Sequence, residues 1–265
     1  MDHKIDWHYQ IQINRPTVLL LHAFPLSNSM WEPQLGLLRK MRMPYIAPDY
    51  PGFGKTGSPR LELEIEDYAH TIHSILIQNG IEEVIPVGLS MGGYVALALY
   101  RLYPELFKGL VLADTRIYED NETVRNKRIG MINDLEKESN VKKLNSVFDS
   151  HIELFFTEES RISRPELLEK TRKIFDTVSV KGVVEAQRAM ANRPDSTDIT
   201  KRMEFPVLFL TGEADQLTTI EQTQEMLTHF KNAEMKIISN AAHLSNMENP
   251  EGFNNNLMEY LQKVI

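Results

Sequence analysis

Ser90 stands at the centre of Gly88-Leu89-Ser90-Met91-Gly92, the stretch of this chain whose residue types most directly suggest chemistry. An apolar run before it (Val84, Ile85, Val87) reads as a buried strand, and a small-residue apolar run from Met91 reads as a packed helix. A serine at the apex of so sharp a strand-to-helix turn is pushed into the open, and glycines two residues either side remove the Cβ atoms that would clash. The helix N-terminus behind it offers free N–H groups and partial positive charge, which suit an oxyanion. The competing reading is a glycine-rich turn with an N-cap serine. A base, an acid and a second oxyanion donor in the right order would decide between them.

A serine hydroxyl attacks only when a base takes its proton, and that base is usually a histidine oriented by a carboxylate. Among the eight histidines, His243 is the candidate. It lies in Ser239-Asn240-Ala241-Ala242-His243-Leu244-Ser245, a loop of small residues after the last strand pattern, with an ordinary loop histidine as its bland reading. Asp215, in Gly212-Glu213-Ala214-Asp215 directly after the run 207–211, fits the orienting acid, with turn capping as its bland role. Glu213 and Asp114 are rivals, each close behind a strand end. Chain order Ser90, Asp215, His243 is the order expected of this type of elbow. The oxyanion donors are expected to be the N–H of Met91 and, from the loop Leu21-His22-Ala23-Phe24-Pro25, the N–H of Phe24. His22 is expected to brace that loop.

Those residues need a scaffold, and the chain alternates short apolar runs with helical patterns. Strands are expected at 17–21, 45–47, 84–87, 109–114, 207–212 and 235–238, with Ile11 and Ile13 closing an early edge hairpin. Helices are expected at 31–42, 65–79 (capped by Gly80), from Met91, at 219–230 and at 249–264. Near-continuous apolar strands separated by helices imply a mostly parallel sheet covered on both faces. Residues 116–200 break the rhythm: they are charge-rich and helical, with no convincing strand. They follow the strand ending at Asp114, at the sheet edge where ligands bind, so a lid is expected there, set against a plain surface insertion. The expected organisation is a core of residues 1–115 and 201–265 with a cap of residues 116–200. Met131, Leu135, Phe148, Phe155, Phe156 and Met190 are candidates for the pocket wall or the cap's own core. Arg116 and Arg188 are candidates for a substrate carboxylate or for solvated surface charge.

Composition narrows the classes. The 265 residues, 42% hydrophobic and 25% charged, suit one compact domain with an insertion, and the formal net charge of −8 argues against nucleic acid. There is no cysteine, hence no disulfide, thiol nucleophile or thiolate metal site. No signal peptide pattern opens the chain and no apolar run spans a bilayer, so a cytoplasmic protein without a membrane span is expected.

The segments His22-Ala23-Phe24-Pro25, Pro48-Asp49-Tyr50-Pro51-Gly52-Phe53-Gly54, Gly88-Leu89-Ser90-Met91-Gly92-Gly93, Gly212-Glu213-Ala214-Asp215 and Ala242-His243 together resemble the α/β-hydrolase superfamily over essentially the whole chain. Ala23 stands where a glycine is usual. Within the superfamily, Leu112-Ala113-Asp114-Thr115-Arg116 and Met190-Ala191-Asn192-Arg193-Pro194-Asp195-Ser196 look like the enol-lactonase-like and carboxylesterase-like branch. The resemblance implies a triad of Ser90, Asp215 and His243, an oxyanion hole at Phe24 and Met91, and a helical cap. It also implies a small ester or lactone as substrate, cleaved without metal or organic cofactor. Serine at the nucleophile position argues against epoxide hydrolases and haloalkane dehalogenases. A hydrolase-fold ligand receptor with little turnover, and carbon–carbon bond hydrolysis or perhydrolysis with the same triad, are the alternatives.

Overall fold

The computed structural model describes residues 7–10, 15–59, 62–138 and 141–265. Seven strands form one sheet: β1 (Trp7–Gln10), β2 (Thr17–Leu21), β3 (Tyr45–Pro48), β4 (Val84–Leu89), β5 (Leu110–Ala113), β6 (Val207–Gly212) and β7 (Ala233–Ile238), in the order β1-β3-β2-β4-β5-β6-β7. β1 is antiparallel to β3, and the other six strands are parallel. Every residue of β2 to β6 is buried, which is why each reads as an apolar run: helices cover both faces. β7 lies at the edge and only Ile238 is buried, so its first two residues, Ala233 and Glu234, carry no apolar signal and the strand begins before the expected position 235. Ile11 and Ile13 lie outside the described residues.

The helices are α1 (Glu32–Lys40), α2 (Ile65–Gln78), α3 (Met91–Leu102), α4 (Glu122–Glu138), α5 (Val141–Phe155), α6 (Glu158–Ser163), α7 (Pro165–Phe175), α8 (Val180–Asn192), α9 (Thr197–Thr200), α10 (Ile220–Leu227), α11 (Ser245–Glu248) and α12 (Pro250–Val264). In α2, Ile65, Tyr68, Ala69, Ile72, Ile75 and Leu76 fall at helical spacing and all are buried. Glu64 and Asp67 cap its start reciprocally, and Gly80, at φ +64°, ends it in the left-handed region. α3 is buried from Met91 to Tyr100 and runs beneath the sheet centre.

The strand order reverses at β2. From β2 the chain moves to β3 on one side and then returns to β4 on the other. Loops leaving the carboxyl ends of β2 and β4 therefore diverge around a crevice, the usual ligand position in an open α/β sheet. Between β5 and β6 the described residues hold only helices, α4 to α9. They have their own apolar contacts, among them Phe148 against Phe175 with ring centres 5.0 Å apart. A buried ion cluster fastens the two ends of this insertion: Asp120 accepts from Arg128 at 2.6 Å and its other oxygen forms an ion pair with Arg193 at 2.8 Å. Arg193 also stacks 3.9 Å above the Tyr94 ring of α3.

Backbone closeness sets the geometry of the β4–α3 junction. A Cβ on Gly92 would overlap the Leu21 carbonyl of β2, and one on Gly88 would overlap the Gly92 carbonyl. Gly36, inside α1, has open space around its Cβ position. The expected outcome is a loss of about 1–3 kcal/mol for Gly92→Ala, against a gain of roughly 0.5–1 kcal/mol for Gly36→Ala. Urea unfolding midpoints of the two variants check this, and equal shifts would contradict the steric account.

Candidate active site

Ser90 is the single residue between β4 and α3, and its backbone is held at φ 54°. A β-strand cannot pass into a helix in one residue without such a conformation, which costs a non-glycine residue energy that the surroundings must supply. Those surroundings are the end of β5. The Ser90 N–H donates to the Ala113 carbonyl at 2.9 Å, and the Thr115 hydroxyl donates to the Ser90 carbonyl at 2.7 Å.

His243 follows β7 and reaches the serine. Its Nε2 lies 2.9 Å from Ser90 Oγ and its Nδ1 lies 2.9 Å from Asp215 Oδ2. A carboxylate only accepts, so Nδ1 carries the proton and donates to Asp215; Nε2 then accepts from the serine hydroxyl. The second Asp215 oxygen accepts the Leu217 N–H at 2.8 Å, so the expected turn-capping role and the orienting contact are both filled. Burial pushes the His243 imidazole's pKa down, but the charge and hydrogen bond of Asp215, with Asp114 behind it, outweigh burial and leave it raised. The structure thus brings Ser90, His243 and Asp215 into one hydrogen-bonded chain.

Ser90, His243 and Phe24 line one cavity of about 300 Å³. Among the described residues, the N–H groups of Met91 and Phe24 have no protein acceptor. His22 braces the Phe24 loop from beneath: its Nδ1–H donates to the Ala23 carbonyl at 3.0 Å and its Nε2 accepts the Tyr50 N–H at 3.1 Å. Burial lowers its pKa to about 4, so it is neutral at physiological pH. Of the proposed wall residues, Met131, Phe155 and Met190 line the cavity. Leu135, Phe148 and Phe156 are buried in the helical insertion and do not. Arg116 lines it; Arg188 does not, being bound to Glu185 at 2.7 Å and Glu136 at 2.8 Å.

A sequence model described as alpha/beta hydrolase fold matches residues 16–250. The chain belongs to the alpha/beta hydrolase family. It is 24% identical over 243 residues to 3-oxoadipate enol-lactonase 2 of Acinetobacter baylyi, covering 92% of this chain and 87% of that protein. It is also 24% identical to a putative non-heme chloroperoxidase of Synechocystis, covering 97% and 95%. Among solved structures, a thermophilic esterase from Thermogutta terrifontis matches with TM-score 0.90 and 30% identity, covering 98% of this chain and 94% of that one. The enol-lactonase from Burkholderia xenovorans LB400 matches with TM-score 0.87 and 21% identity, covering 97% and 96%. In this hydrolase-family chain no helix among the described residues is long and apolar enough to cross a membrane.

Two carboxyl groups that spacing did not single out for this work hold the hydrolase site together. Asp114, weighed above only as a rival acid, sits behind Asp215. It accepts the Gly212 N–H at 2.7 Å on one oxygen and meets the Ser245 hydroxyl at 2.5 Å on the other. Glu248 accepts the Ala242 N–H at 2.6 Å and, with its other oxygen, the Thr157 N–H at 2.8 Å and hydroxyl at 2.6 Å. The sequence signal for Asp114 was its place at the end of β5. For Glu248, whose partners come from two distant segments, there was none. Glu213, the other rival, is exposed and accepts the Asn240 N–H at 3.0 Å.

Burial, then the adjacent Asp215 carboxylate, push the Asp114 carboxyl up from 3.8 to about 8. A native pKa above the unfolded one means that the folded protein binds the extra proton across that interval, so stability falls as pH rises through it. Asn at this position has no proton to lose and keeps one acceptor and one donor. Asp114→Asn is expected to lose less of its melting temperature than the unmodified protein between pH 6 and pH 9, and parallel curves would contradict this.

Proposed function

We propose that the protein hydrolyses a small carboxylic ester or lactone through an acyl-enzyme on Ser90. The observation that carries this reading is the continuous chain from Asp215 through His243 to Ser90, at two distances of 2.9 Å, opening on the cavity. A ligand receptor has no need of an oriented base. In the proposed mechanism His243 Nε2 takes the Ser90 proton as Oγ attacks the carbonyl. Asp215 holds the tautomer and stabilises the imidazolium. The N–H groups of Phe24 and Met91 hold the tetrahedral oxyanion, each contributing on the order of 100-fold in rate. His243 then protonates the leaving oxygen, and water, deprotonated by the same imidazole, releases the acid.

Residues 116–200 are proposed as the cap. The helices between β5 and β6 contribute Met131, His151, Phe155, Gln187 and Met190 to the cavity wall, which supports that role. A cavity of about 300 Å³ is at the small end for ligand sites and favours a short acyl group. The ester or lactone class is in keeping with the names of the enol-lactonase and esterase relatives.

Ser90→Ala is expected to reduce p-nitrophenyl acetate hydrolysis by roughly 10⁴-fold or more, with the circular dichroism spectrum unchanged; full activity in this variant would sink the assignment. Because the His243 pKa is raised and only neutral imidazole is a base, kcat/KM should rise with pH through a midpoint above 6.5. Asp215→Asn should lower kcat by about 10⁴-fold through the wrong tautomer, and a variant with unaltered rate would show that Asp215 does not orient the base.

A further inference from the structure

The chain carries a net charge of −8, yet among the described residues the wall of the Ser90 cavity holds Arg116, Lys127 and Arg128 and no carboxylate. Arg128 is already satisfied, with Nε on Asp120 at 2.6 Å and one terminal nitrogen on Gln187 at 2.9 Å. Arg116 is not. It lies two residues beyond Asp114, half-buried, with one terminal nitrogen donating to the Leu217 carbonyl at 2.6 Å. Its Nε is buried without a partner, and among the described residues no carboxylate comes within ion-pairing distance of the guanidinium. Lys127, exposed on α4 at the same cavity, has no ion-pair partner among the described residues either. A half-buried guanidinium at a cavity wall with no carboxylate partner is costly to keep unpaired, and its planar fork matches the carboxylate of a ligand.

We propose that the ester or lactone cleaved at Ser90 carries a carboxylate that pairs with Arg116, with Lys127 attracting it at the mouth of the cavity. This rests on the ester-hydrolase reading above. The substrate class is then the half-ester or lactone of a dicarboxylic acid. Hydrolysis adds one water across the acyl–oxygen bond and yields a dicarboxylate, a free hydroxyl and one proton. Arg116 also shields the substrate carboxylate from the oxyanion forming at the reacting carbon. A neutral ester of the same shape leaves the guanidinium unpaired, and that difference is the source of discrimination.

The test compares monomethyl glutarate with dimethyl glutarate by pH-stat, with p-nitrophenyl acetate as the reference ester. The unmodified protein is expected to favour the half-ester by about tenfold or more in kcat/KM, as expected for a hydrogen bond between charged groups. Arg116→Gln should remove most of that preference, chiefly through KM, and Arg116→Lys should restore part of it. Lys127→Gln, at an exposed position that does not threaten folding, should lower the preference less and flatten its decline between about 0.01 M and 1 M salt. Cleavage of p-nitrophenyl acetate with no preference for the half-ester overturns this inference and leaves the hydrolase reading standing, as does a preference that survives both Arg116→Gln and Lys127→Gln. A Ser90→Ala variant that still cleaves p-nitrophenyl acetate overturns the reading beneath it.

Discussion

His243 must cross the ends of two strands to reach its partner. It leaves the sheet after β7, and Ser90 sits at the end of β4, with β5 and β6 between. Three strand spacings amount to roughly 14 Å, more than an imidazole spans without its loop leaning over the sheet. The carboxyl of Asp114 makes that crossing possible. From the end of β5 it holds the start of the acid loop through Gly212 and the base loop through Ser245. Glu248 completes the restraint by tying Ala242, the residue before His243, to the start of α6.

The same region concentrates the backbone strain. Of the described non-glycine residues with positive φ, Ser90, Asp114 and Asn240 follow β4, β5 and β7 respectively, at the sheet end where the site is built. Each has a reason to be there: Ser90 exposes its hydroxyl, Asp114 turns its carboxyl back beneath the acid loop, and Asn240 starts the loop that carries the histidine. Strain of this kind persists when neighbours over-determine it. The Ala113 and Thr115 contacts to Ser90 and the Leu210 contact to Asp114 do so here.

Much of this was legible in the residues. The buried parallel strands read as apolar runs because both faces are covered, and β2 and β6 occupy the expected positions, 17–21 and 207–212. Ser90, Asp215 and His243 stood out because each is a reactive type in the turn or loop that follows a strand. Asp114 has that same property, so spacing could not separate it from Asp215. Only the strand order, with β6 next to β7, brings Asp215 rather than Asp114 to the imidazole. The insertion was the least legible part. Leu135, Phe148 and Phe156 look identical in sequence to the wall residues Met131 and Phe155, because which side of a helix faces a cavity depends on its neighbours. Arg116 and Arg188 were equally ambiguous, and only the nearby acids Glu185 and Glu136 distinguish them.

The central claim is that Ser90 is an activated nucleophile because His243 accepts its proton. Fluorophosphonate labelling followed by intact mass and peptide mapping measures this most directly. The account predicts one covalent adduct, located at Ser90, formed rapidly in the unmodified protein and lost when His243 is replaced by alanine. An unmodified mass, or an adduct that maps elsewhere or persists without His243, would contradict it.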